Sequence, residues 1–259
     1  MFTHLTHHPA ITQEQHRALP FVSNTDLSNL ADELLGRTRD MSSPNMAAAL
    51  TFGSHFHSAI LEPEQYQKLD NGFPFDAKGY TQWKAAGDLA RVIKRHRYPR
   101  HVCYLGQAEQ TYTATHEPTG LTVKVRPDLL IDSPKKQRRT LVDFKTTSCK
   151  DLAQFLETVE KYGYDRQGAL YADALGAHRV VLIAVQKRPA KGQQPQVWVH
   201  ELTPLQMEAG RKKYGKLLRC AAEQRQHYQP GGQLAPALTQ NFDRAALPFD
   251  SHTRHFTAA

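Results

Sequence analysis

With 259 residues, 40% of them hydrophobic and 22% charged, the chain has a normal globular balance and enough length for one large domain. No stretch approaches the roughly 18–20 apolar residues of a membrane helix. Met1–His8 lacks the basic-then-apolar order of a signal peptide, so a cytoplasmic location and no membrane role are expected. A formal net charge of +8 favours a polyanionic partner; the three well-separated cysteines (Cys103, Cys149, Cys220) make no zinc or iron–sulfur set.

Residues 1–22 read as irregular, with scattered His and Pro. Ser23–Asp26 is a capping-box-like start, and Leu27, Leu30, Ala31, Leu34 and Leu35 recur behind it at helical spacing. That helix is expected to end near Gly36–Asp40, and Ser42–Asn45 to be a loop. A second helix is predicted over Met46–Leu61. It carries Gly53 and His57 four apart, on one face. Glycine inside a helix costs roughly 1 kcal/mol relative to alanine, which hints at close approach of backbone or ligand there. Taken alone, His57 reads as an imidazole at the edge of an apolar face, satisfied by a carbonyl. Residues 62–64 end the helix, 70–80 read as a loop, and 81–97 as a basic helix.

From 101 the pattern turns to β. Strands are expected at about 107–116, 120–132 and 139–145, as a three-stranded meander. Its last connection, Ser133–Arg139, carries Lys135, Lys136, Arg138 and Arg139. Thr146–Ser148 is a cap signal for a helical region from Asp151 to about Leu175, broken near Gly163, with Gln167 and Tyr171 on one face. Arg179–Gln186 reads as a strand buried on both faces, Gln196–Leu202 as an alternating strand, and Pro204–Tyr228 as a long helix with a basic side. The tail from 229 reads as irregular. A helix between the third and fourth strands is a crossover, so the sheet is expected to be mixed.

The stretch Leu121–Lys145 concentrates the chemistry. Asp128 follows Arg126-Pro127; Asp143 and Lys145 lie two apart on the next strand, so they share a face while Val142 and Phe144 point the other way. Two carboxylates and an ammonium brought together suit a divalent cation and an activated water. The same charges also suit the solvated face of a strand.

The blocks Phe52-Gly-Ser-His-Phe-His57-Ser-Ala-Ile-Leu-Glu62-Pro-Glu64, Gly106-Gln-Ala-Glu109, Arg126-Pro-Asp128, Val142-Asp143-Phe-Lys145-Thr-Thr147 and Tyr164-Asp-Arg-Gln167-Gly-Ala-Leu-Tyr171-Ala-Asp173 together resemble the PD-(D/E)xK nuclease superfamily. More narrowly, they resemble the exonuclease VIII (RecE-type) family of phage recombination exonucleases. The resemblance spans roughly 23–200. It implies an α/β, restriction-endonuclease-like core with a mixed sheet flanked by helices and an N-terminal helical layer. The unit would be one nuclease domain over 1–228, with a helical part at 23–97 and a catalytic core at 101–228, followed by an irregular tail at 229–259.

The resemblance also implies roles. His57, Asp128, Asp143 and the Phe144 carbonyl would hold a metal, with Glu109 a further ligand or orienting group. Lys145 would orient or deprotonate the attacking water, and Gln167 and Tyr171 would steady the site. Mg²⁺ is expected, with Mn²⁺ admitted by the histidine. Arg126, Lys135, Lys136, Arg138 and Arg139 are candidate DNA contacts. The implied activity is digestion of linear double-stranded DNA from its ends, 5′ to 3′, by a ring-shaped homo-oligomer working with a single-strand annealing protein. A structure-specific endonuclease or repair nuclease on the same core, and a non-catalytic DNA-end-binding module, are the alternatives. The linker between Asp128 and Asp143 is longer than the family pattern, and 65–105 matches it poorly.

Overall fold

The computed structural model describes residues 1–37, 43–70, 77–133, 135 and 137–226. The chain runs β1 (Phe2–His8), α1 (Gln13–Ala18), α2 (Asn24–Leu34), α3 (Pro44–Leu61), α4 (Pro63–Asp70), α5 (Ala77–Arg95), α6 (Arg97–Leu105), β2 (Gln107–Ala108), β3 (Thr111–His116), β4 (Leu121–Val125), β5 (Leu129–Ser133), β6 (Arg138–Thr147), α7 (Leu152–Lys161), α8 (Tyr164–Leu175), β7 (Arg179–Gln186), β8 (Val197–Glu201) and α9 (Pro204–Gln226). The expected tail at 229–259, the middle of the 70–80 loop and Lys136 lie outside the described residues.

The strands form two sheets, in the orders β1-β3-β4 and β2-β5-β6-β7-β8. The expected meander is therefore not one sheet. Arg126-Pro127-Asp128 interrupts the predicted 120–132 strand: proline has no N–H to give a ladder, and the chain changes sheets there. β5 and β6 are antiparallel, β6 and β7 parallel, and β7 and β8 antiparallel. The crossover through α7 and α8 thus makes the larger sheet mixed, as its sequence order requires.

Alternation on β6 and β7 divides the core. Val142, Phe144, Val181, Ile183 and Val185 bury one face under α3, α5 and α6. Leu141, Val180, Leu182 and Ala184 join the other face to α7, α8, α9 and the smaller sheet. Each large apolar side chain so buried is worth roughly 1.5–3 kcal/mol.

Local signals explain the element ends that sequence reading found. Ser23 accepts the Asp26 N–H, and Asp26 accepts the Ser23 N–H at 2.7 Å, a complete capping box. Gly163, at φ 67°, separates α7 from α8 in a left-handed conformation that a β-carbon disfavours. Asp151, rather than Thr146–Ser148, caps α7, and β6 continues through Thr147.

Other expectations fail for identifiable reasons. Residues 1–22 contain β1 and α1. β1 is a sheet-edge strand with mostly exposed side chains, so no apolar alternation marks it. The 81–97 helix begins at Ala77, stops at Arg95, and is followed by α6 up to Leu105. Only Pro99 and Val102 of α6 are buried, too few to announce a helix. α4 starts at Pro63, within the expected stop at 62–64, and α3 begins at Pro44, where proline suits the first helical position. Among the described residues no helix is long and apolar enough to cross a membrane.

Candidate metal centre

Asp128 leaves the proline break and enters β5 with its carboxylate directed inward. Its Oδ2 accepts the Phe144 N–H at 2.6 Å, and its Oδ1 lies 3.3 Å from His57 Nδ1. The strand break thus ties the first carboxylate to the backbone of β6. His57 comes from α3, whose neighbouring Phe56 is fully buried under the larger sheet and fixes the helix against it. Glu109 follows the two-residue β2, where the chain turns from one sheet to the other. It is held at φ 52°, donates its N–H to the Asp128 carbonyl at 3.1 Å, and accepts Arg126 Nε at 2.7 Å. One donor atom from each of His57, Glu109 and Asp128 lies within 4.8 Å of the others.

On β6 the two-residue period works as read. Val142 and Phe144 are fully buried on one face, and Asp143 and Lys145 share the other. Lys145 Nζ stands 2.7 Å from Asp143 Oδ2, donates to Gln167 Oε1 at 3.3 Å, and lies 4.8 Å from the centre of the Tyr164 ring. Gln167 and Tyr171 line the same small hollow beside Asp143. Tyr164, Gln167 and Tyr171 lie at i, i+3 and i+7 on α8, one helical face laid over the β6 pair.

Residues 27–229 match the family described as a PDDEXK-like domain of unknown function (DUF3799). The chain belongs to that family. No curated protein matches it. Among solved structures, a candidate exonuclease from Eubacterium rectale is 20% identical, with 82% of this chain and 86% of that one covered at a TM-score of 0.57. That likeness supports the PDDEXK-like fold. An alkaline exonuclease from Laribacter hongkongensis is 12% identical, with 83% and 97% covered at a TM-score of 0.35, too weak a likeness to argue from.

Within this PDDEXK-like centre the charges are strongly coupled. Burial opposes ionisation of Asp128, but the His57 imidazole, the Lys145 ammonium and the Phe144 N–H outweigh it and hold its carboxyl below the usual range. Burial likewise opposes the His57 cation, and the Asp128 carboxylate more than compensates, so the imidazole holds its proton more tightly than usual. Burial and the neighbouring Asp128 charge push Glu109 up to about 7, against the pull of Arg126. Burial raises Asp143 despite Lys145. Burial disfavours the Lys145 ammonium, yet Asp143 and Asp128 prevail and its pKa is raised. Burial and Asp143 push the Tyr171 phenol up to about 12.

The centre opens into a cleft of about 810 Å³ between the 8–14 segment and α3, lined by Gly53, His57, Glu62, Glu109 and Arg126 among others. A β-carbon built on Gly53 would meet nothing within 4 Å. Gly53 therefore serves no close backbone approach; it leaves open room beside His57.

The candidate basic residues lie in two places. Arg126 is half of the Glu109 pair and also donates to the Ile11 carbonyl at 3.3 Å and to Thr111 Oγ1 at 3.0 Å. Arg139 pairs with Asp132 at 2.9 Å and donates to the Leu175 carbonyl at 2.5 Å. Lys135 and Arg138 are exposed on the β5–β6 hairpin tip. β5 ends below that tip at Ser133, five residues from Asp128 and about 17 Å away at strand rise. Two features escaped sequence reading: Tyr164 as the ring beneath Lys145, and the 8–14 segment as a wall of the cleft. The first was legible in the Tyr164–Gln167–Tyr171 spacing; the second had no local signal.

Proposed function

We propose that the chain is a divalent-metal-dependent exodeoxyribonuclease that degrades linear double-stranded DNA from its ends. The observation that supports this most is the convergence of His57, Glu109 and Asp128 beside the Asp143–Lys145 pair. The donor set fits a hard cation: two carboxylates and one imidazole, with open space beside them for water. Mg²⁺ suits the oxygens, and the nitrogen admits Mn²⁺. Asp143 and the Phe144 carbonyl would complete the set.

A bound ion supplies Lewis-acid stabilisation of phosphate oxygens and makes a nearby water more acidic. The remaining work falls to the chain. His57, Glu109 and Asp128 position the ion. Lys145, held as an ammonium by Asp143, aims a fixed positive charge at the oxygens of the phosphate as charge develops on them. Its raised pKa favours this electrostatic and orienting role over proton abstraction. From α8, Gln167 and the Tyr164 ring hold Lys145 in place, and Tyr171 would steady the site beside them. The open cleft would receive the strand end.

The resemblance to exonuclease VIII adds the finer parts of the proposal: one nuclease unit over 1–228, 5′-to-3′ digestion leaving a 3′ single strand, a ring-shaped homo-oligomer and an annealing partner. The test is digestion of duplexes labelled at one 5′ or one 3′ end, alongside intact circles, with Mg²⁺ or chelator. Expected is Mg²⁺-dependent release of the 5′ label first, with circles untouched. Cutting of intact circles would replace the exonuclease with an endonuclease.

A further inference from the structure

Helix α6 turns a second, chemically distinct surface to solvent. Arg97, Arg100, His101 and Tyr104 recur at i, i+3, i+4 and i+7, one face of a helix, and with Tyr98 they line a shallow hollow of about 650 Å³. Pro99 and Val102 face the core instead. Tyr104 is 86% exposed and Tyr98 is 36% exposed, with Leu105 exposed beside them. Exposed aromatic rings gathered in one hollow, rather than scattered singly, suit a binding surface.

The charge is one-sided. From Val92 to Ala108 the sequence has four Lys and Arg residues (Lys94, Arg95, Arg97, Arg100) and no Asp or Glu, while Arg91 just before them pairs with Asp88. Among the described residues none of Arg95, Arg97 and Arg100 is ion-paired, and the nearby Glu201 is held by Arg179 at 2.5 Å. An ordinary solvated helix interleaves both signs. Here the surface complements a polyanion that also presents flat, unstacked rings.

We propose that the α6 face binds single-stranded nucleic acid, with bases stacking on Tyr104 and Tyr98 and phosphates meeting Arg97, Arg100 and Arg95. Paired bases keep their faces inside the duplex, so the tyrosines select the single strand while the arginines do not. α6 leads into β2 and Glu109. Tyr104 is five residues from Glu109, at most about 18 Å along the chain, close enough for one strand to occupy both surfaces. The binding itself does not depend on the nuclease reading.

The test uses the whole chain in chelator, so that no hydrolysis intervenes, with fluorescence anisotropy of labelled (dT)20 and of a 20-base-pair duplex. Tyr104→Ala, at a solvated position, is expected to weaken (dT)20 binding about tenfold and to leave duplex binding unchanged. Arg97→Gln with Arg100→Gln is expected to lower the salt slope for (dT)20 by about 1.4, at about 0.7 per lost contact. Unchanged melting temperatures confirm folded variants. A Tyr104→Ala protein that binds (dT)20 within twofold of the parent overturns the proposal. So does equal weakening on duplex and single strand. So does loss of self-association, by sedimentation, with (dT)20 binding intact: the face would then be a protein contact.

Discussion

His57 Nδ1 faces Asp128 Oδ1 across 3.3 Å, joining a helix that packs on the larger sheet to the break where the chain leaves the smaller one. The contact makes the imidazole and the carboxylate mutually stabilising as an ion pair in the metal-free protein. Glu109, in the same cluster, is pushed up to about 7. A cation binding there has to displace the protons of both His57 and Glu109.

Mg²⁺ affinity is therefore expected to rise with pH. Below pH 6 both groups hold protons and compete with the ion; as pH rises through 7 Glu109 ionises and the competition falls. An increase of about tenfold or more between pH 6 and 8 is expected, with protons released on binding. Calorimetric titrations in two buffers of different ionisation enthalpy measure both quantities. Glu109→Gln should bind more weakly and with a flatter pH profile. Affinity that is flat from pH 6 to 8 would remove Glu109 and His57 from the ligand set.

Asp128 has a structural duty besides its proposed place in the metal site, because it accepts the Phe144 N–H at 2.6 Å. Asp128→Asn keeps an acceptor oxygen there and loses the charge. It is expected to lose at least about 10²–10³-fold in hydrolysis with stability close to the parent. Asp128→Ala leaves a buried N–H unpaired as well and should cost a further roughly 1–3 kcal/mol. Single-turnover digestion and urea unfolding separate the two losses. Equal stability of both variants would mean that the Phe144 contact carries no weight.

What the sequence made legible was whatever is periodic or locally capped: the β6 face with Asp143 and Lys145, the α8 stripe with Gln167 and Tyr171, the buried β7, and the Ser23 cap. What it hid depends on a partner in space. Arg126-Pro127-Asp128 looked like the interior of one strand, since its β-rich flanks carry no mark of which sheet they join. β1 pairs with β3 from more than 100 residues away and has too few buried side chains to show a pattern. Glu109 reaches the ligand cluster through a left-handed turn and a bond to the Asp128 carbonyl, geometry that no spacing in the chain encodes.

Lys145 is expected to separate ion binding from turnover. Lys145→Ala removes a positive charge beside the carboxylates, so Mg²⁺ should bind at least about threefold tighter, while hydrolysis falls about 10²–10³-fold. Without metal, Asp143 loses its counter-charge in a buried setting, and stability should drop by about 3–5 kcal/mol. Added Mg²⁺ should recover part of that loss, because it binds only the folded form. Thermal unfolding with and without Mg²⁺ reads the recovery. Weaker Mg²⁺ binding in this variant would show that Lys145 supports the ligands rather than opposing them.

Gly53 tests whether the cleft is the DNA path. A β-carbon there meets nothing within 4 Å, so Gly53→Ala should gain helix propensity without a clash. The expected gain is about 0.8–1 kcal/mol, or about 2–4 °C in melting temperature. No close contact within the chain offsets the cost of this glycine. The added methyl projects into the cleft one turn before His57, on the face that bears the imidazole. Mg²⁺ affinity should therefore stay unchanged while affinity for a short duplex, measured in chelator, falls. If Gly53→Ala is more stable and binds duplex as well as the parent does, the strand end reaches the centre by another route, and the cleft between α3 and the 8–14 segment is not its entrance.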